Sequence, residues 1–196
     1  ARAGHRDGHH LVAGQIARHA AATIEEQKDS EQPFFLYFAS NIAHNPITPA
    51  PDATGKSACG AYGDFVQELD GHVGLLLDAL KKAGKLDNTL IIFTSDNGGV
   101  TVGKAATNPV AEAQRAGHRT CAGLRGGKAS IYEGGFRVPF IVRWPGVVEP
   151  GSTSDRLVCL TDVFATVAEV IGVKLPAGAA EDSISFLSTL VPGRAR

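Results

Sequence analysis

Two short apolar runs on either side of a long amphipathic stretch constrain the fold of this chain more than any other feature. Phe34-Phe35-Leu36-Tyr37-Phe38-Ala39 is continuously apolar and bounded by Pro33 and Ser40-Asn41, the pattern of a strand buried on both faces. From Tyr62 onward, Phe65, Val66, Leu69, Val73, Leu76, Leu77 and Leu80 recur at helical spacing until Gly84 offers a stop, which predicts an amphipathic helix over 62–80. Thr89-Leu90-Ile91-Ile92-Phe93-Thr94 reads as a second buried strand. Strand, helix, strand in that order implies a parallel pair with a right-handed crossover, hence an α/β fold with a mainly parallel sheet flanked by helices.

The remaining segments fit around this unit. Residues 1–32 are polar, carry four of the seven histidines (His5, His9, His10, His19), and have helix-forming composition from Leu11 to Lys28. His9 and His10 are adjacent and have no third ligand four residues along one face, so these histidines read as solvated. Residues 95–135 read as glycine-rich loop, followed by a third strand at Val138-Pro139-Phe140-Ile141-Val142-Arg143, with Pro139 close enough to its start to be tolerated. Asp162 is placed to cap a helix through Phe164, Val167, Ala168 and Ile171, with Gly172 as its stop. Residues 176–196 read as an exposed, loop-rich tail, and no break in composition divides 33–175.

Composition narrows the function classes. Nineteen Lys and Arg against 20 Asp and Glu give a net charge of −1, which argues against a nucleic-acid binder relying on bulk positive charge. No apolar run approaches the roughly 20 residues of a membrane span. Ala1-Arg2-Ala3-Gly4-His5 shows neither an initiator Met nor an apolar signal core, which predicts a fragment or a processed chain. Cys59, Cys121 and Cys159 match neither a zinc ribbon nor a redox pair, and read as buried free thiols. Gly55-Lys56-Ser57 looks like the end of a phosphate-binding loop, but Ala50 stands where the first Gly belongs.

In open α/β sheets, ligands sit beyond the carboxyl ends of the strands. There the sequence carries His44-Asn45-Pro46 after the first run and Ser95-Asp96-Asn97-Gly98-Gly99 after the second. Asp96 beside Asn97 offers hard oxygen ligands suited to calcium rather than zinc. Asp96-Asn97-Gly98 is equally the composition of a tight turn, and His44 equally that of a polar loop. A third cluster joins Gly123-Leu124-Arg125-Gly126-Gly127-Lys128 to Tyr132-Glu133-Gly134-Gly135-Phe136-Arg137. Its glycines permit close backbone approach, while Arg125, Lys128 and Arg137 are positioned to clamp an oxyanion.

Taken in order, Phe34-Phe35-Leu36-Tyr37, His44-x-Pro46, the 62–80 helix, Asn88-Thr89 through Ser95-Asp96-Asn97-Gly98, Gly127-Lys128, Glu133-Gly134-Gly135-x-Arg137-Val138-Pro139, Trp144-Pro145-Gly146 and Thr161-Asp162 closely resemble the sulfatase family of the alkaline phosphatase-like superfamily. Arylsulfatase A-like enzymes look nearest, with Glu181-Asp182-Ser183 and Ser185-Phe186 adding to the match. The resemblance implies an alkaline phosphatase-like fold, incomplete at both ends, of which 33–175 is part of the catalytic domain. It implies Asp96 and Asn97 as calcium ligands, and His44 and Lys128 as the catalytic pair contacting the sulfate ester near its leaving oxygen. His118 is the candidate for contact with the organic part of the substrate, a solvent-facing loop position being the alternative. The family nucleophile is a formylglycine made in a Cys/Ser-x-Pro-x-Arg motif, and this sequence contains none. That nucleophile, two further acidic calcium ligands and another Lys/His pair belong to the family's amino-terminal region, the expected partner of this chain. A small carboxyl-terminal subdomain is expected beyond residue 196. The expected activity is sulfate-ester hydrolysis in a periplasmic, secreted or lysosomal setting. A phosphatase or phosphodiesterase of the same superfamily, or a non-catalytic module with this fold, are the alternatives.

Overall fold

The computed structural model describes residues 9–102 and 107–191. The chain divides into two compact units: residues 1–87 with 97–138, and residues 88–96 with 139–196.

The first unit is helical. Helix α1 (His9–Glu26) buries Ala13, Ala17, Ala20, Ala21 and Ile24, a stripe of mostly small side chains, and packs against α2 (Gly60–Lys82). Small residues along the contact let the two backbones approach closely. Helix α2 follows the predicted periodicity, with Phe65 buried against Ala13 and Ile42, and Ala43, Ile47 and Leu69 packed around them. Its end is set by Gly84 at φ +69°. There Gly84 N–H donates to the Lys81 carbonyl and Lys85 N–H to that of Leu80, the paired bonds of a left-handed glycine terminus. Asp64, only 2% exposed, accepts from the backbone N–H groups of Gly55, Lys56 and Ser57 at 2.7, 2.9 and 2.6 Å. The Gly55-Lys56-Ser57 stretch is thus an anchored turn, not a phosphate loop.

Helix α3 (Pro109–Arg115) lies within a stretch the sequence reads as loop. Asn108 caps it by accepting from Ala111 N–H at 3.0 Å, and Pro109 occupies the first turn, where its missing N–H costs nothing. A single turn, α4 (Glu133–Phe136), follows. His19 is exposed, as expected for a solvated histidine, while His5 and the side chains of His9 and His10 lie outside the described residues.

The second unit contains strands β1 (Ile91–Thr94) and β2 (Phe140–Arg143) and helices α5 (Asp162–Val170) and α6 (Leu187–Leu190). Both strands lie where the apolar runs predict them, and β2 begins just after Pro139, which has no N–H for a ladder. Their pairing is with each other, and the expected parallel partner at 34–39 forms no ladder with them among the described residues. The sheet among the described residues is two-stranded and antiparallel, Ile91 opposite Arg143 and Thr94 opposite Phe140. Residues 34–39 are extended but form no ladder among the described residues, and Phe35 and Tyr37 are 73% and 81% exposed. Alternate side chains face solvent there, so the run is not buried on both faces.

The tail after Pro176 also departs from expectation. Phe186, Leu187 and Leu190 are buried with Ile92, Phe140, Val142, Trp144 and Val163 packed around them, the ring of Phe140 meeting that of Phe186 edge-on at 5.4 Å. Asp162 is not the helix cap but the first residue of α5, and its carboxylate accepts from Cys159 N–H and Ile184 N–H, both at 2.8 Å. Ser183 Oγ donates to the Thr161 carbonyl, and Phe186 N–H donates to Thr166 Oγ1. Thr161-Asp162 and the 182–186 segment, read as separate motifs, are two sides of one polar seam.

The cysteines are all free, but Cys59 and Cys121 are half-buried and Cys159 is exposed. Hydrogen bonds from Thr161 hold the Cys159 thiol below its ordinary pKa. Among the described residues no helix is long and apolar enough to cross a membrane.

Candidate active site

Asn97 and Lys128 are carried by loops whose backbones are bonded to one another. After β1 the chain leaves the second unit at Asp96 and enters the first at Asn97. Gly98 N–H donates to the Gly135 carbonyl at 2.9 Å, and Lys128 N–H donates to that of Gly99 at 2.9 Å. Gly134 N–H donates to the Arg125 carbonyl at 2.8 Å, so 98–99, 125–128 and 134–135 form one hydrogen-bonded knot. The contact is too close for side chains: a Cβ on Gly98 would overlap the Gly134 carbonyl oxygen, and one on Gly134 would meet the Arg125 and Gly126 carbonyls. Thr120 Oγ1 donates to the Val100 carbonyl at 2.9 Å and Cys121 Sγ to that of Gly99 at 3.3 Å, adding a fourth segment.

This knot brings the Asn97 turn and the Lys128 loop together. Lys128 is exposed, next to buried Gly127 and to Ala129, whose φ is +67°. Asn97 is half-buried and donates from Nδ2 to the Gly98 carbonyl at 3.1 Å, while Asp96 is exposed. Carboxylate and carboxamide suit calcium in kind, but supply a minority of the six to eight oxygens that ion takes. Among the described residues no group of three or more His, Cys, Asp or Glu side chains is arranged to hold a metal.

His44 belongs to the same unit but is held separately. It is exposed, its N–H donates to the Asn41 carbonyl at 2.9 Å, and its Nδ1 lies 2.9 Å from the Asn45 carbonyl. Buried Ile42 and half-buried Ile47 fix the loop on either side of it against Phe65. His118 is half-buried: its N–H caps α3 through the Ala113 carbonyl at 3.0 Å, and its ring lies 5.5 Å from that of Tyr62. Burial pushes the Tyr62 phenol above its ordinary pKa, with a smaller contribution from Cys121.

Of the cations proposed as an oxyanion clamp, Arg125 and Arg137 are engaged locally. Arg125 lies 3.6 Å over the ring of Tyr132 and donates to its hydroxyl at 2.7 Å, while Arg137 pairs with Glu133 at 3.2 Å. Asp64 and Glu68, which anchor the loop after His44, were not singled out from sequence. Their signal was a pair of carboxylates one turn apart on the loop-facing side of an amphipathic helix.

The sequence profile of the Sulfatase family matches residues 13–173. The chain is 39% identical over 180 residues to an N-acetylgalactosamine-6-O-sulfatase of Bacteroides thetaiotaomicron, covering 92% of this chain and 34% of that one. Human arylsulfatase A is 37% identical over 169 residues, covering 84% of this chain and 31% of the enzyme. A solved Bacteroides thetaiotaomicron structure, described in connection with the metabolism of multiple glycosaminoglycans, superposes with a TM-score of 0.83 at 39% identity, covering 93% of this chain and 37% of that one. The chain therefore spans about a third of the length of these relatives. With a profile match across most of its length and that superposition, its fold is the alkaline phosphatase-like sulfatase fold, and the chain belongs to the sulfatase family.

Proposed function

We propose that this chain forms one wall of the active site of a sulfate-ester hydrolase. The observation that carries the reading is the knot that bonds the Lys128 loop to the Asn97-Gly98-Gly99 turn. Lys128 stabilises negative charge developing on the ester, and His44 donates to the leaving oxygen as general acid. His118, on its half-buried ring face, meets the organic part of the substrate. Asp96 and Asn97 would contribute two oxygens to a calcium site, where the ion would supply positive charge against the sulfate oxygens. The formylglycine nucleophile and the other ligands are supplied by the region of the family that this chain does not span. In that larger domain the extended 34–39 run takes its place as a strand of a mainly parallel sheet.

Among the relatives, those named N-acetylgalactosamine-6-sulfatases support a sulfated amino sugar, with sulfate on the 6-oxygen, as the substrate class to test first. The test is Lys128→Ala in a full-length enzyme bearing this segment, assayed on a chromogenic aryl sulfate and on 6-sulfated N-acetylgalactosamine. The variant is expected to lower kcat/KM by about 10²–10³, the range for losing one preorganised donor, with its unfolding midpoint unchanged. Wild-type kcat/KM in that variant would remove Lys128 from the reaction.

A further inference from the structure

Along α2, Phe65, Glu68, Leu69 and His72 fall at i, i+3, i+4 and i+7, a single face that would ordinarily be apolar throughout. Phe65 and Leu69 pack with Ile42 and Ile47. Glu68 instead places a carboxylate there with its side chain only 7% exposed. Burying that charge is costly unless it is hydrogen-bonded, so its partner explains its presence.

The partner is the loop that carries His44. Glu68 Oε2 accepts from Ala50 N–H at 2.8 Å, while Oε1 lies 3.8 Å from His72 Nε2. Five residues separate His44 from Ala50, and two of them, Pro46 and Pro49, have a fixed φ. Few backbone torsions are free between the two, and Ile47, packed on Phe65, is the other hold on this stretch, so Ala50 and Ile47 together set how the loop approaches His44. Packing alone does not hold that end. A cavity of about 480 Å³, lined among others by Arg18, Asp52, Ala53 and His72, opens beside Ala50. The Ala50 carbonyl accepts from Ala53 and Thr54 within its own turn, and the charge-assisted bond to Glu68 is what ties the Ala50 N–H itself to α2.

We propose that Glu68 is a positioning residue: by holding the Ala50 N–H it sets where the His44 imidazole meets the leaving oxygen. This rests on the assignment of His44 as the donor. In a full-length enzyme bearing this segment, Glu68→Ala is expected to lower kcat on an aryl sulfate about tenfold to a hundredfold, the range for a misplaced reacting group, with KM little changed. Glu68→Gln, which keeps an acceptor oxygen, should recover most of that loss. In a His44→Ala background, Glu68→Ala should have no further effect on kcat. Should Glu68→Ala not fold, Glu68→Met removes the acceptor while conserving volume and is read the same way. Additive losses in the double variant, or wild-type kcat in Glu68→Ala, would overturn the proposal while leaving His44 in the reaction. Wild-type activity in His44→Ala alone would overturn the His44 assignment, and this proposal with it.

Discussion

Lys128 is followed by Ala129 in the left-handed region, at φ +67°. An L-residue with a Cβ pays about 1–2 kcal/mol for that conformation, whereas glycine adopts it freely. Ala129→Gly should therefore leave the loop conformation intact and raise unfolding stability by up to about 1 kcal/mol, measured by denaturant titration. A destabilised variant would mean that the Ala129 methyl makes contacts outweighing its backbone strain. At this scale the sequence singles out the residues that make up the candidate site, and the structure bonds the Asn97 turn to the Lys128 loop. His44, Asp96, Asn97 and Lys128 are polar residues set in short loops that follow or connect apolar runs. What was not legible was their support. The overlap that a Cβ on Gly98 would make with the Gly134 carbonyl depends on two segments 36 residues apart in sequence, and no local pattern reports such an approach.

Among the elements, α2 carries the groups that respond to acid. Burial holds the His72 imidazole below its ordinary pKa, with Arg18 acting the same way and Glu68 and Asp52 opposing it. Asp64 is held below the carboxylate range by the N–H groups of Gly55 first and then Ser57, with Lys56 adding to them and burial opposing. Both folded pKa values lie below their unfolded ones, so in each case the unfolded chain takes up protons first as pH falls. Stability should decline in two stages, the first starting below about pH 6.5 for His72 and the second below about pH 3.9 for Asp64. Thermal midpoints recorded against pH would show this, and His72→Gln should remove the first stage alone. A flat profile between pH 7 and 5 would contradict it. The periodicity that located α2 was strong because its apolar face is long. Helix α3 escaped notice because its seven residues hold little apolar bulk, although Asn108-Pro109 was a start signal in plain view. The tail was misread for a related reason: Phe186, Leu187 and Leu190 are too few to register as an amphipathic element, yet they complete a core. Phe186→Ala should accordingly cost about 3–5 kcal/mol in denaturant unfolding, whereas a loss below 1 kcal/mol would return the segment to the surface.

For the whole molecule, the reading as one wall of a site has a direct consequence. The chain has no Cys/Ser-x-Pro-x-Arg motif, and an oxyanion site without the nucleophile cannot supply the covalent route. Alone, it should show no calcium-dependent turnover of a chromogenic aryl sulfate, and turnover abolished by Lys128→Ala would show that it contains a nucleophile of its own. The extended run at 34–39 carries a different consequence. Phe35 and Tyr37 stand largely in water on a backbone whose donors and acceptors meet no ladder among the described residues. An apolar, uncharged six-residue stretch in that state is a template for intermolecular cross-β pairing. The chain handled by itself should be limited first by self-association through this segment, and a charged residue in place of Tyr37 should improve its solubility.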